Sequence, residues 1–119
     1  MSAQTTSPEL IHVLRTLVRA ANAENAAVWD AVAEKLRRSK HQRAAVNISR
    51  INRHTTADET VVVPGKVLGA GVLTHRVTVA ALSCSRQARE KIEGAGGKYL
   101  TIPALLQENP TGSGIRIMG

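Results

Sequence analysis

The chain of 119 residues has no phenylalanine, one tryptophan, one tyrosine and one cysteine. A single thiol, Cys84, cannot close an internal disulfide. That excludes a stapled secreted scaffold and points to a reducing compartment. With Trp29 and Tyr99 as the only aromatics, the core has to be built from Ala, Val, Leu and Ile. No stretch approaches the roughly 18 consecutive apolar residues of a membrane span. The opening MSAQTTSPEL lacks the basic-then-apolar layout of a secretory signal. Acid is scarce as well, with 9 Asp and Glu against 16 Lys and Arg. The expectation is a soluble, intracellular, basic protein with no membrane partner.

What is present supports folding. An apolar fraction of 43% is well above that of a disordered tail, and the length suits one domain. The net charge of +7 points first to a polyanionic partner. The charge is concentrated. Between Lys35 and Ala57, about a fifth of the chain, there are seven basic residues and no acid. They are Lys35, Arg37, Arg38, Lys40, Arg43, Arg50 and Arg53, joined by His41 and His54. Elsewhere nine basic and nine acidic residues cancel. A run without interleaved acid repels itself until an external anion neutralises it. The excess is Arg-weighted, 11 Arg to 5 Lys, which suits phosphate forks.

Periodicity divides the chain into two kinds of segment. Residues 1–6 are small and polar and are expected to be disordered. Ser7-Pro8-Glu9 is a helix start, with a capping serine, a proline and an acid in the first turn. Leu10, Val13, Leu14, Leu17, Val18 and Ala21 follow at helical spacing. A break over 22–25 leads to a second helix over 26–38, with Trp29, Val32, Ala33 and Leu36 as its buried stripe and a Glu34–Arg38 pair outside. Residues 45–48 read as a short extended piece, and 49–54 as a helical turn. After residue 59 the pattern becomes β-branched: Thr60–Val63, closed by Pro64-Gly65, then Lys66–Leu68 and Val77–Leu82. Ser85 caps a helix over 86–93 that Gly94 stops. Lys98–Leu100 is a strand, 101–109 a helix and Ile115–Ile117 the closing strand. The fold class is mixed α/β. The organisation expected is a single domain over 7–119, comprising a helical hairpin (7–38), a basic segment (39–57) and a strand/helix core (58–119).

No motif carries catalysis. Gly69-Ala70-Gly71-Val72-Leu73-Thr74 approaches a dinucleotide fingerprint, but a β-patterned run follows it where a helix is required. Glycines shaping a tight strand-to-strand turn are the better reading. Gly94-Ala95-Gly96-Gly97-Lys98-Tyr99 lacks the first glycine of a phosphate loop and the hydroxyl that would hold magnesium. Cys84 ends an apolar strand as a small buried residue would. The histidines lie far apart, without Cys or Glu at metal spacing. No catalytic residue, metal or cofactor is therefore assigned. Trp29 belongs to the buried stripe, Tyr99 stays undecided, and base stacking is a poor mode here.

The stretch TVVVPGKVLGAGVLTHRVTVAAL resembles the archaeal and eukaryotic eighteen-e family of large-subunit ribosomal proteins, a family related to the bacterial large-subunit protein fifteen. The likeness spans most of the chain. It includes AVWDAVAEKLRRSKHQRAAVNISRINRH before this stretch, and SRQAREKIEGAGG and ENPTGSGIRIMG after it. The compact length looks like an archaeal member, and the basic balance like one from a less salty cytoplasm. The resemblance implies a ribosomal protein of the cytoplasmic large subunit that acts in translation. It further implies large-subunit ribosomal RNA and neighbouring large-subunit proteins as partners, with no small-molecule substrate. The fold it implies is helices followed by irregular strand–strand–helix turns with short strands. It carries no contact set. From charge alone, Lys35, Arg37, Arg38, Lys40, His41, Arg43, Arg50, Arg53 and His54 are expected on RNA, with Lys66, Arg76 and Arg116 as secondary contacts. Two other readings compete: a free-standing RNA- or DNA-binding regulator, and a small enzyme with an unrecognised site.

Overall fold

The computed structural model describes residues 7–38 and 42–119. The disorder expected over residues 1–6, and the candidates Lys40 and His41, lie outside the described residues. At the start of helix α1 (Pro8–Glu24) the Ser7 hydroxyl accepts the Leu10 amide at 3.1 Å. Pro8 takes a position where no amide partner is needed, and Glu9 faces the positive helix end. Asn25 ends α1 in the left-handed region, φ 51°, and α2 (Ala27–Leu36) begins two residues later. The break is therefore shorter than the 22–25 expected, because asparagine accepts this conformation at little cost. Trp29, Val32, Ala33 and Leu36 are completely buried, as the helical stripe required. Outside, Glu34 pairs with Arg37 at 3.6 Å rather than with Arg38.

The remaining elements build a five-stranded sheet whose pairings are all parallel. They are β1 (Ala44–Asn47), α3 (Ile48–His54), β2 (Glu59–Leu68), β3 (Val77–Cys84), α4 (Arg86–Gly94), β4 (Lys98–Thr101), α5 (Ile102–Glu108) and β5 (Ile115–Ile117). β3 lies along one edge of β2, and β4 lies beyond β3. The other edge of β2 is shared: Thr60–Val62 pair with β5, and Gly65–Leu68 pair with β1. Pro64 stands between the two partners. Pro64-Gly65 was expected to end a strand, but β2 continues through it with a register shift against β3 between Val63 and Lys66. Proline donates no hydrogen bond, so it is tolerated where the ladder changes hands. Gly65 is required by proximity, since a Cβ there would lie 2.0 Å from the Ala44 carbonyl oxygen.

Side chains alternate across the sheet and make two cores. Val62 and Ala80 pack against α1, α2 and α5. Val61, Val63, Val67, Val79 and Ala81 pack with Ile48 and Ile51 of α3 and with Ala88 and Ile92 of α4. A parallel sheet buried on both faces reads as continuous apolar runs, which is what TVVV and VTVAAL are. Both cores are built mainly of Val, Ile, Leu and Ala; Met118 joins the α3–α4 side, and the large exception is Trp29, whose indole Nε1 donates to the Pro110 carbonyl at 2.7 Å.

The link from β2 to β3 departs from expectation. Parallel strands are usually joined by roughly a dozen or more residues, most often a helix. Here residues 69–76 suffice, and Glu59 and Val77 are register partners. Returning along β2 covers about 30 Å at strand rise, and the chain from Leu68 to Val77 reaches at most about 32 Å. The connection is thus a nearly extended strap, not a tight turn between antiparallel strands. It is tied down along its length. The Ala70 carbonyl accepts the Ser49 amide at 3.0 Å. Lys91 Nζ donates to the carbonyls of Gly69 and Gly71 at 2.6 and 2.5 Å. The Asn52 carboxamide oxygen accepts both the amide and the hydroxyl of Thr74 at 2.9 Å.

Three substitutions test this architecture. Gly65→Ala drives a methyl group into β1 and is expected to destabilise the protein by about 1–3 kcal/mol. Gly94→Ala, where a Cβ meets nothing within 4 Å, is expected to be neutral or to stabilise by up to about 1 kcal/mol. Urea denaturation of both variants checks the contrast. Equal midpoints would contradict the close β1–β2 approach. Trp29→Ala is expected to cost about 3–5 kcal/mol by the same measurement.

Candidate nucleic-acid interface

The basic segment is distributed by the sheet over three places. Lys35, Arg37 and Arg38 lie at the end of α2, on the face covered by α1, α2 and α5. Arg43 and Lys66 sit at the β1 edge, where they line one cleft with Ala44, Gly65 and Ser83. Arg50, Arg53 and His54 project from α3, on the opposite face. α3 follows β1 without an intervening loop, and its buried Ile48 and Ile51 turn the polar residues between them outward. One run of sequence therefore passes around a sheet edge and presents cations on both sides.

These cations differ in how the fold engages them. Arg38, Arg50, Arg53 and His54 are exposed, and none has a carboxylate within 4.0 Å among the described residues. Lys35 Nζ donates to the Gly119 carbonyl at 3.3 Å, and Arg43 Nε to the Leu36 carbonyl at 3.2 Å. Arg43 thus satisfies a carbonyl at the end of α2 as well as carrying charge. The two secondary candidates outside the segment that bear a guanidinium are both held by acids. Arg76 forks onto Asp58 at 2.6 and 3.2 Å. Arg116 reaches Glu59 at 3.3 Å and the His54 carbonyl at 2.6 Å. The hydrogen bonds and charge of Arg76 hold the Asp58 carboxyl below the usual carboxylate range. Asp58 also donates its backbone amide to the Arg76 carbonyl at 2.7 Å, so the pair fixes the turn before β2 against the start of β3.

The aromatic and thiol candidates resolve cleanly. Trp29 is fully buried and has no free face for a base. Tyr99 is half-buried, donates to the Ala81 carbonyl at 3.2 Å and lies 5.9 Å beneath the Arg89 guanidinium. Burial pushes the hydroxyl of Tyr99 and the thiol of Cys84 up, which keeps Cys84 protonated and a poor nucleophile. Thr55 donates its hydroxyl to the Ile51 carbonyl at 2.6 Å, so His75, whose Nε2 is 2.8 Å from that hydroxyl, carries the proton there. Gly69 and Gly71 turn their carbonyls to Lys91, the reverse of a cradle that offers amides to phosphate.

Two arginines outside the charge-dense segment lie beside it in space. Arg15 and Arg19 of α1 stand beside Arg37 along a shallow groove of about 460 Å³. Their signal in the sequence is a pair of arginines one turn apart, with no acid three or four residues from either.

The comparisons with known proteins agree along nearly the whole chain. The family described as ribosomal protein 60S L18 and 50S L18e matches residues 2–119. A protein of Methanothermobacter thermautotrophicus named large ribosomal subunit protein eL18 is 54% identical over 113 residues, covering 95% of this chain and 93% of the relative. The protein of that name from Methanopyrus kandleri is 51% identical, with coverage of 95% and 93%. Its counterpart in Archaeoglobus fulgidus is 46% identical, with coverage of 94% and 96%. Identity at this level, sustained from end to end, means that the chain belongs to the family of ribosomal proteins 60S L18 and 50S L18e.

Proposed function

We propose that the chain is a structural constituent of the large ribosomal subunit, in the cytoplasm, and that it binds and stabilises large-subunit ribosomal RNA through arginine and lysine contacts to phosphate. Neighbouring large-subunit proteins are its other partners, and the reading assigns it no catalysis. The observation that carries it is the division of the ion pairs. Among the described residues, five of the six salt bridges lie outside the basic segment, and within it Arg37 alone has a side-chain carboxylate partner. Outside the segment five of nine Lys and Arg have a carboxylate partner; inside it most of the described cations have none. An unmatched, exposed, arginine-rich surface suits a polyanion. Helix ends and a sheet edge offer positioned guanidiniums to RNA shape and backbone, and no exposed aromatic competes for bases.

Binding of this kind releases condensed counterions and weakens steeply with salt. In a sucrose gradient of cell extract the protein is expected to travel with the large subunit at low salt and to leave it at high salt. Sedimentation as a free protein under both conditions would sink the proposal. With purified protein and deproteinised large-subunit RNA, the triple variant Arg38→Gln, Arg50→Gln, Arg53→Gln should flatten the slope of log affinity against log salt by roughly 2 to 3. Its circular dichroism spectrum should stay unchanged. Arg43 is left out of that set because its bond to Leu36 gives it a part in folding.

A further inference from the structure

Arg15 and Arg19 are the cations of α1, and the fold makes no evident use of them. They stand one helical turn apart and are exposed, with no carboxylate within 4.0 Å among the described residues. Like charges at this spacing oppose helix formation. Neither lies in the last turn of α1, where the helix dipole would favour a cation. Arg37 arrives beside them from the end of α2, and its 3.6 Å contact with Glu34 is exposed and weak. Leu14 and Val18 form the floor between these guanidiniums. α1 and α2 cover the sheet face opposite to α3, so the sheet separates this groove from Arg50 and Arg53.

We propose that the Arg15–Arg19–Arg37 groove is a second RNA-backbone site, and that it holds phosphates of a segment other than the one met by α3. The domain then ties two RNA segments together across its sheet. This rests on the ribosomal-RNA reading above and adds a division of that surface into two sites. Charge complementarity selects the occupant. Three guanidiniums along a shallow trough suit successive phosphates, each able to accept a forked pair of hydrogen bonds. An acidic protein segment fits less well. Tight protein interfaces are anchored by large apolar groups in desolvated pockets. The exposed large apolar residues here, Ile11 and Val72, do not line the groove.

The test uses the full chain and deproteinised large-subunit ribosomal RNA, read by filter binding over a salt series and by hydroxyl-radical footprinting. Wild-type protein is expected to protect two separate RNA segments. Arg15→Gln with Arg19→Gln should lose one of them and flatten the salt slope by about 1.4–1.8. Arg50→Gln with Arg53→Gln should lose the other. Arg86→Gln with Arg89→Gln removes the same charge from α4, where each arginine already has a glutamate partner, and should leave both segments protected. Arg15→Lys with Arg19→Lys keeps the charge and should keep both footprints. Thermal melting confirms that each variant is folded. The proposal is overturned if the α1 pair leaves footprint and slope unchanged, or if both pairs erase one and the same segment. It is also overturned if the α1 pair binds RNA normally and fails only to join subunits, since the occupant is then a protein. Wild-type protein that binds no ribosomal RNA at all would bring down the functional reading itself, a result visible before any variant is made.

Discussion

One edge of β2 carries β5 against Thr60–Val62 and β1 against Gly65–Leu68, and Pro64 stands where the partner changes. Two strands placed end to end leave a joint, and a buried amide at a joint has no partner. Proline removes that amide. The glycine after it lets the Ala44 backbone come closer than any side chain would allow. The consequences reach far along the chain. The Met118 amide bonds the Val62 carbonyl at 3.0 Å, which carries the end of β5 towards β1. Lys35 then meets the Gly119 carbonyl, and Arg116 meets the end of α3. The positions of α2's last turn and of α3 both depend on how β2 shares that edge.

The ion pairs follow a similar logic. Asp58–Arg76 and Glu59–Arg116 join residues far apart in sequence, at turns and strand ends where the backbone ladder is sparse. Lys98–Glu108 ties β4 to the end of α5. Arg86–Glu90 and Arg89–Glu93 lie along the single helix α4. All are exposed or half-exposed and each contributes little to stability. Their larger effect is on the field, because they cancel charge over the surface of α4, β4 and the turn before β2. What remains positive is the rim formed by α1, the end of α2, the β1 edge and α3. Neutralised and unneutralised surface thus occupy different parts of one small protein, which would give a polyanion a direction of approach.

Local chemistry was legible in the sequence and long-range pairing was not. The caps at Ser7 and Ser85 depend on a side chain and an amide three residues away, so position and residue type suffice to read them; Thr101, read as the first residue of a helix, caps that helix instead. The Trp29 stripe is likewise a matter of helical spacing. Pro64-Gly65 looked like the end of a strand because proline is rare inside one. Only the change of partner strand explains its presence. Gly69 and Gly71 looked like a tight turn because nothing nearby shows that β3 runs parallel to β2. The charge-dense segment was plain to see, but its division between two faces was not. That division arises where the chain rounds β1, between Arg43 and Arg50. The carboxylates that hold Arg76 and Arg116 were hidden for the same reason, being 18 and 57 residues away.

The scarcity of aromatics links core and surface. Valine and alanine on both faces of the sheet are short, so helices can lie close above and below it, and the domain stays thin across the sheet. The one indole is spent inside, on the Pro110 carbonyl. With no fully exposed Phe, Tyr or Trp, the surface offers little aromatic stacking, so the proposed RNA binding would rest mainly on phosphate geometry and helix shape. Phosphate contacts carry no sequence information and weaken with salt, so several must act together to fix a position. A thin sheet with guanidiniums above, below and along one edge supplies several such contacts from a short chain. Because they point in different directions, a nucleic acid that engaged all of them at once would have to be folded around the protein. That is a demand which structured RNA meets and an isolated duplex does not.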